Sequence, residues 1–409
     1  MSVRYWLLLN CLLCFLLCTA VNFFYFPAGL SFGDENRYLA SALDLVRQKT
    51  FAVGNDRAWE MPGAAAFFAL PLAIAGPENG IRLIRILQSI LLVMQVLLLA
   101  SIACHVFKDR RAVVITATLT AVYPFFVYYQ GLLLSETLFN TLLIAAIAAL
   151  YWWREHGARI DGRLLLVSLL LALAGWVKPT LLFLPPVLLF GCAWLWRRDL
   201  RHAIRVGAVA SVIFVAVFAP WWIRNGLLFD AFVPFTTTSS ANLYLGNNAH
   251  NSNFGVNWIT DVDQAVVARI NALPEIARQA AYKHEAVEWI VGHPTAFLRG
   301  MVVKLFRYWN VIPNAVEFRS SGMMLISLLS FGPVLVLAMV CVAFGRRHVE
   351  LAPIYALIGY YTVVHCIVIA SLRYRLPLEP FLIVMASYPL AQIVAKFQAR
   401  FGSSSAATS

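Results

Sequence analysis

The stretch FPAGLSFGDENRYLASALDLVRQ, residues 26–48, decides how this chain is read. An apolar opening runs to Phe26, and then Asp34 and Glu35 stand side by side with Arg37 close behind. Carboxylates directly outside an apolar segment are costly unless a partner or a cavity uses them. Beyond the pair the pattern turns helical. Leu39, Leu43 and Val46 fall at helical spacing, with Arg37, Ser41, Asp44 and Arg47 on other faces. That spacing predicts an amphipathic helix over 34–48 lying on a membrane surface.

The rest of the chain explains why a membrane is invoked. Of its 409 residues 61% are hydrophobic and 13% charged, and the mean hydropathy is +0.74. A soluble domain carries about 25% charged residues. The net charge of +12 does not indicate nucleic acid, because the basic residues form short clusters between apolar segments. That distribution is an orientation signal, and membrane lipids account for its sign. The seven cysteines all lie in apolar segments, so neither a zinc site nor a disulfide is expected. Cys11, Cys14 and Cys18 share one helical face and read as small packing residues. The first apolar run is longer than the roughly 7–15 residues of a signal core and has no A-x-A site, so it reads as a retained membrane helix.

Spanning helices need about 20 apolar residues. Candidates fall at 5–26, 83–107, 112–130, 137–153, 164–177, 180–196, 206–223, 324–344, 351–370 and 378–395. The expected fold is therefore an all-α polytopic membrane protein of about ten transmembrane helices. The clusters KDRR (108–111), REHGARIDGR (154–163), RRDLRHAIR (197–205) and RRH (346–348), with Lys396 and Arg400, all fall on one side of that threading. The positive-inside rule makes that side cytoplasmic, with both termini on it. Two long polar segments, 27–80 and 225–322, fall outside. Residues 60–76 hold Pro62 and Pro71 in a short apolar run and read as an interfacial or re-entrant helix. Residues 1–395 form one membrane domain on this reading, and 396–409 a cytoplasmic tail ending in a disordered GSSSAATS.

Costly polar residues collect at the outer ends of these spans. They are Asp34, Glu35, Arg57 and Glu60 in the first outer loop, and Arg82 and Arg85 at the second span. Ser135 and Glu136 follow in LLLSETLF, then Lys178, Arg224 and Asn225, and finally Arg373, Tyr374 and Arg375 in SLRYRLPLEP. Each has a plain alternative. Arg82 and Arg85 can snorkel, Lys178 can anchor at the interface, and Asp34 and Glu136 can cap helices. Together they describe an outward cavity at the lipid boundary that holds carboxylates and cations. A carboxylate at a helix N-terminus stays ionised and suits a general base. Arg82, Arg85, Lys178, Arg373 and Arg375 suit a phosphate clamp. A lipid phosphate could reach such a site with its tail still in the bilayer.

Several motifs carry a family resemblance: DENRYL, MPG, RLIRILQSIL, YYQGLLLSETLF, GWVKPTLLFLPP, PWWIRNGLLFDAFVPFTTTSSANLYLGNNA and RYRLPLEPF. Their ordered set resembles the GT-C superfamily of integral membrane glycosyltransferases, and is similar to protein O-mannosyltransferases and lipid A aminoarabinose transferases. The resemblance implies a polyprenyl-phosphate sugar donor, inversion at the anomeric carbon and an active site on the periplasmic side of the inner membrane. It implies a catalytic acid in the first outer loop, carried to Asp34 with Glu35 beside it, and a second acidic motif at Glu136. Donor phosphate would be held near Arg82 or Arg85 and near Arg373 or Arg375.

The acceptor, a glycan, lipid or protein, is expected on the second outer loop. NLYLGNNAHNSNFGVNW offers Tyr244, Asn247, Asn248, His250 and Trp258, and Glu60 faces the same side. A turn-rich loop is the alternative, since Asn and Gly are turn residues. No ligand spacing indicates a metal, so none is expected. Mg or Ca is the alternative, because Asp34, Glu35, Glu136 and His250 include hard donors. Rival functions are a lipid-linked glycan polymerase or ligase and a flippase-type transporter. A transporter fits less well, since the charges lie at span ends and no internal repeat is visible.

Overall fold

The computed structural model describes residues 2–26, 30, 33–181, 184–313, 320–344 and 348–405. The described residues are overwhelmingly α-helical, and their one extended pairing is an isolated bridge between Val53 and Asp56. Helix α1 (Val3–Phe24) starts at Ser2, whose side chain accepts from the Tyr5 amide. It buries Asn10, Cys14 and Cys18 and exposes Leu8, Leu12 and Leu16, the pattern of a helix with lipid on one face. Helix α2 (Gly33–Gln48) is the amphipathic helix expected from its spacing. Asp34 and Glu35 fall in its first turn and Arg47 in its last, each favourable to the helix dipole.

Helix α3 (Gly63–Phe107) is two limbs joined at Gly76 (φ 75°, ψ 175°), a conformation essentially reserved for glycine. Pro77 follows and cannot donate back to the preceding turn. The first limb covers the short apolar run that holds Pro71, and the second covers the span expected over 83–107. The limbs pack so closely that a Cβ on Gly80 would stand 2.9 Å from the Leu72 Cα.

Helices α4 (Arg110–Ala121) and α5 (Pro124–Tyr129) divide the span expected over 112–130. Pro124 sits where its missing N–H costs least, at the start of α5. Then come α6 (Glu136–Glu155), α7 (Gly162–Val177), a 3₁₀ turn (Pro179–Leu181), α8 (Leu184–Arg197) and α9 (Leu200–Phe229). The second long polar segment folds as α10 (Thr238–Gly246), α11 (Gln264–Asn271), α12 (Glu275–Gly292) and α13 (Pro294–Trp309). The chain closes with α14 (Ser321–Phe344), α15 (His348–Ile367), α16 (Leu372–Arg375) and α17 (Glu379–Ser405). The tail expected to be disordered is helical as far as Ser405, and residues 406–409 lie outside the described set.

Seven of the described helices, α1, α3, α6, α9, α14, α15 and α17, are long and apolar enough to cross a membrane. The other expected spans fall on α4 with α5, on α7 and on α8, whose lengths are 12, 6, 16 and 14 residues. These shorter helices pack into the bundle, α7 between α6 and α9, α4 against α3 and α17. The chain is a multi-pass membrane protein.

The basic clusters at 108–111, 154–163 and 197–205 make contacts with one another or with the ends of α15 and α17, while Arg346 and Arg347 of the RRH cluster lie outside the described residues. Arg111 Nε donates to Gln398 Oε1 at 3.1 Å, Arg154 pairs with Glu350 at 3.5 Å, and Arg197 donates to the Gly157 carbonyl at 3.1 Å. Helices α10–α12 form a lobe with its own small core of Ala241, Tyr244, Leu245, Val262, Ile270, Tyr282 and Ala286, joined by Ile369, while α13 packs on α15 and adds Tyr308 to the bundle core. Gly246 is a close contact between lobe and bundle, since a Cβ there would meet the Val368 carbonyl oxygen at 1.8 Å.

Candidate functional site

Four segments far apart in sequence deliver one ionic cluster. Asp34 comes from the first turn of α2, and Glu136 opens α6. Lys178 stands in extended conformation just past α7, and Arg373 lies in the short helix α16. The Arg373 guanidinium joins both carboxylates: Nε donates to Glu136 Oε1 and Nη1 to Asp34 Oδ2. Lys178 Nζ donates to the same Glu136 oxygen at 3.0 Å. On the far side Arg37 pairs with Asp34 Oδ1 at 3.0 Å and with Glu60 Oε1 at 3.1 Å. The cluster thus holds three carboxylates and three cations and is close to neutral.

Its exposure is graded. The side chain of Glu136 is 1% exposed and that of Lys178 13%, whereas Arg373 is 26% and Asp34 32% exposed. Asp34 and Arg373 therefore lie on the solvent-accessible side of the cluster, its opening to the surface. Among the described residues Arg373 Nη2 has no hydrogen-bond partner. Burial works against the charge on Arg373, but Glu136 and Asp34 override it and hold the guanidinium well above its ordinary value. Burial pushes the Glu60 carboxyl up, against the pull of Arg37. Tyr38 packs beneath and donates from its hydroxyl to Ser135 Oγ at 3.1 Å.

The expected residues divide sharply. Asp34, Glu136, Lys178 and Arg373 meet, and Glu60 joins them through Arg37 rather than lying with the Asn-rich loop. Glu35 does not reach the opening: it is fully buried and its Oε1 accepts from the Leu133 amide at 2.8 Å. Arg85 is buried too, donating to the carbonyls of Gly131 at 2.9 Å and Phe26 at 2.7 Å. Arg82 is exposed and pairs with Glu78 on its own helix at 3.4 Å. Arg375 is fully buried, with Nε on Glu379 Oε1 at 2.8 Å and Nη1 on the Asn310 carbonyl at 2.6 Å. Three of the five expected phosphate ligands are thus engaged in other contacts.

The Asn-rich loop is mainly a framework. Asn248 Nδ2 donates to the Tyr244 and Asp261 carbonyls, and its Oδ1 accepts from the amides of His250 and Asn251. Asn247 Nδ2 donates to the Leu243 and Ile367 carbonyls at 2.9 and 3.0 Å. Tyr244 is buried in the lobe core, while His250 is exposed. The turn-forming alternative describes these amides better than a carbohydrate contact.

Sequence reasoning passed over Arg37 as a site residue, although its spacing from Asp34 is that of an i,i+3 pair. It also passed over Lys304, for which the amphipathic pattern of α13 gave no signal. Lys304 is fully buried; its Nζ donates to Asn247 Oδ1 at 2.8 Å and to the Ile367 carbonyl at 3.2 Å. Burial pulls its pKa down from 10.5 to about 7. Between those two values the folded chain holds fewer protons than the unfolded one, so stability rises with pH across that window. Thermal melts in detergent should show that rise, and Lys304→Met should flatten it.

A second tie joins lobe to site. Glu275 accepts from the amides of Arg57 at 2.6 Å and Ala58 at 2.9 Å and from Thr237 Oγ1 at 2.8 Å. It thereby holds the segment that carries Glu60. Glu275→Ala should cost about 1–3 kcal/mol locally. Hydrogen exchange checks this, with the Arg57 and Ala58 amides exchanging faster and those of α6 unchanged.

Among the described residues no three His, Cys, Asp or Glu side chains converge as a metal site. Asp34 and Glu136 are the carboxylates a hard cation would use, and Arg373 already lies between them.

No family model matches the chain, and no curated protein matches it. Solved structures do. The oligosaccharyltransferase AglB from Archaeoglobus fulgidus, in complex with an inhibitory peptide and a dolichol-phosphate, aligns over 98% of this chain with a TM-score of 0.59 at 14% identity. The chain has the GT-C fold. The apo form of the same archaeal enzyme aligns equally well, at 0.59 and 13% identity. The chain spans about half of that protein's length, 52% in both alignments. ArnT from Cupriavidus metallidurans, bound to undecaprenyl phosphate, aligns over 93% of this chain and 77% of its own at a TM-score of 0.46 and 13% identity.

Proposed function

We propose that the chain is an inverting glycosyltransferase that moves a sugar from a polyprenyl-phosphate donor to an acceptor at the outer face of the cell's inner membrane. The observation that carries this reading is the pairing of Asp34 with Arg373 on the accessible side of a bundle with the GT-C fold, with Arg373 Nη2 left over among the described residues. An acceptor hydroxyl attacks the anomeric carbon, and the bond from that carbon to the donor phosphate oxygen breaks. The hydroxyl proton passes to Asp34, and polyprenyl phosphate leaves with the electron pair. Arg373 and Lys178 face the leaving phosphate, a charged group that needs no separate general acid, unlike the leaving alcohol in glycoside hydrolysis. Arg37 orients Asp34 from the side away from Arg373.

The archaeal structure with bound dolichol-phosphate shows that this fold accepts a lipid phosphate in at least one protein. In the present chain the same class of ligand would enter between the bundle and lipid. Segments 27–80 and 225–322 would form the outward, acceptor-facing side. The basic clusters at the opposite end would face the cytoplasm with both termini. No metal enters this mechanism.

The test is release of polyprenyl phosphate from a panel of polyprenyl-phosphate sugars by the purified wild-type protein, with envelope lipids, glycans and peptides offered as acceptors. Stoichiometric release and acceptor labelling support the reading. Turnover only with pyrophosphate-linked oligosaccharides would replace it with a polymerase or ligase. Transbilayer movement of a lipid-linked glycan without bond cleavage would replace it with a transporter.

A further inference from the structure

Carboxylates from separate segments that converge on one positive centre are among the ligands by which proteins hold hard divalent cations. Here the centre is a guanidinium. We propose that Arg373 is a built-in substitute for a divalent cation, so that this site works without metal and becomes a metal site only when Arg373 is removed. The inference rests on the glycosyltransferase reading for its catalytic part, but its structural part stands by itself.

Three observations carry it. Arg373 bridges Glu136 and Asp34 through different nitrogens, Nε and Nη1, as a cation bridges two ligands. The third nitrogen, Nη2, has no hydrogen-bond partner among the described residues and is left to donate to a further group. The remaining cations are already matched. Lys178 holds Glu136 at 3.0 Å, and Arg37 holds Asp34 at 3.0 Å and Glu60 at 3.1 Å. Three negative and three positive side chains leave no surplus charge to attract a doubly charged ion. A guanidinium also differs from a metal in the way it acts. It stays charged throughout, gives directed planar donors, and stabilises a leaving phosphate through hydrogen bonds rather than inner-sphere bonds.

The test uses Mn²⁺ as the probe, read by electron paramagnetic resonance, beside turnover before and after dialysis against chelator. The wild type should bind no Mn²⁺ and keep its turnover within about twofold after chelation. Arg373→Ala should lose about 10²–10³-fold in turnover. It should also gain a bound Mn²⁺ that Arg373→Ala/Glu136→Gln lacks. Arg373→Lys keeps the charge without the fork; it should stay Mn²⁺-free and give intermediate turnover. Wild-type protein that binds Mn²⁺ and loses this on Glu136→Gln would overturn the proposal, as would a wild-type turnover that collapses on chelation and returns with Mg²⁺ or Mn²⁺. A folded Arg373→Ala protein that binds no Mn²⁺ would overturn it as well. Absence of turnover in every protein bears on the glycosyltransferase reading alone, and the Mn²⁺ spectra still decide the substitution.

Discussion

Asp34→Asn is expected to cut sugar transfer by about 10²–10⁴-fold while the protein folds as before. Asparagine has the shape of aspartate but cannot take a proton at neutral pH. Asp34 is the half-exposed carboxylate of the cluster, at 32%, whereas Glu136 is 1% exposed and has its Oε1 shared by two cations. Asp34 is therefore the more accessible of these two carboxylates, the one an acceptor hydroxyl would reach in the proposed mechanism. A capping role predicts something different: Asn and Asp cap about equally well, so the substitution would then leave turnover nearly unchanged. The measurement is single-turnover transfer at saturating donor, with donor binding followed separately. Retained binding with lost transfer supports the base assignment. Retained transfer moves the base away from Asp34 and removes the main support for the mechanism.

Glu379→Gln is expected to destabilise the protein by about 3–5 kcal/mol, because it leaves the Arg375 charge buried without its carboxylate. Both side chains are 0% exposed and their Nε–Oε1 separation is 2.8 Å. Arg375 further donates to the Tyr308 and Asn310 carbonyls and stacks with its guanidinium carbon 3.4 Å from the centre of the Phe331 ring. It thereby ties α13, α14 and α17 to the segment that carries Arg373. The double variant Arg375→Met/Glu379→Leu should recover most of the loss, since a well-packed apolar pair can replace a buried ion pair. Thermal or denaturant unfolding in detergent reads both values. A melting point unchanged in Glu379→Gln would mean that the carbonyls alone satisfy Arg375. Because Arg375 lies two residues from Arg373, the single variant should also weaken donor binding.

The division between what was legible and what was not follows chemistry rather than position. The amphipathic helix α2 and the break at Gly76–Pro77 could be read from local patterns. So could the first apolar helix and the longer apolar spans, because each depends on a short window and its preference for lipid or water. The ionic cluster was legible as a set of residue types at one membrane level, but its membership was not. Arg85 and Arg373 look alike in sequence, each an arginine at the end of an apolar segment. One is drawn inward by the Gly131 and Phe26 carbonyls, and the other is drawn to Asp34 and Glu136. Glu35 and Asp34 are neighbours, yet a helix turns adjacent residues about 100° apart, so one is buried on the Leu133 amide and the other faces the opening. The amides of the Asn-rich loop were assigned to an acceptor because their composition suits sugars. Their carbonyl partners, supplied by the fold, assign most of them to holding the loop.

By itself, then, the amino-acid sequence determined the solvent, the helical class, the amphipathic helix that follows the first apolar helix, and the charged residue types from which the cluster is drawn. These follow from transfer free energies and backbone propensities that each residue carries with it. Only the tertiary structure decided that Arg373 meets Asp34 across 339 residues of chain, that Lys304 is buried against Asn247, and that Arg82, Arg85 and Arg375 are engaged elsewhere. A buried cation goes to whichever carboxylate or orphan carbonyl the packing of distant helices leaves beside it, and that choice is written in no single segment.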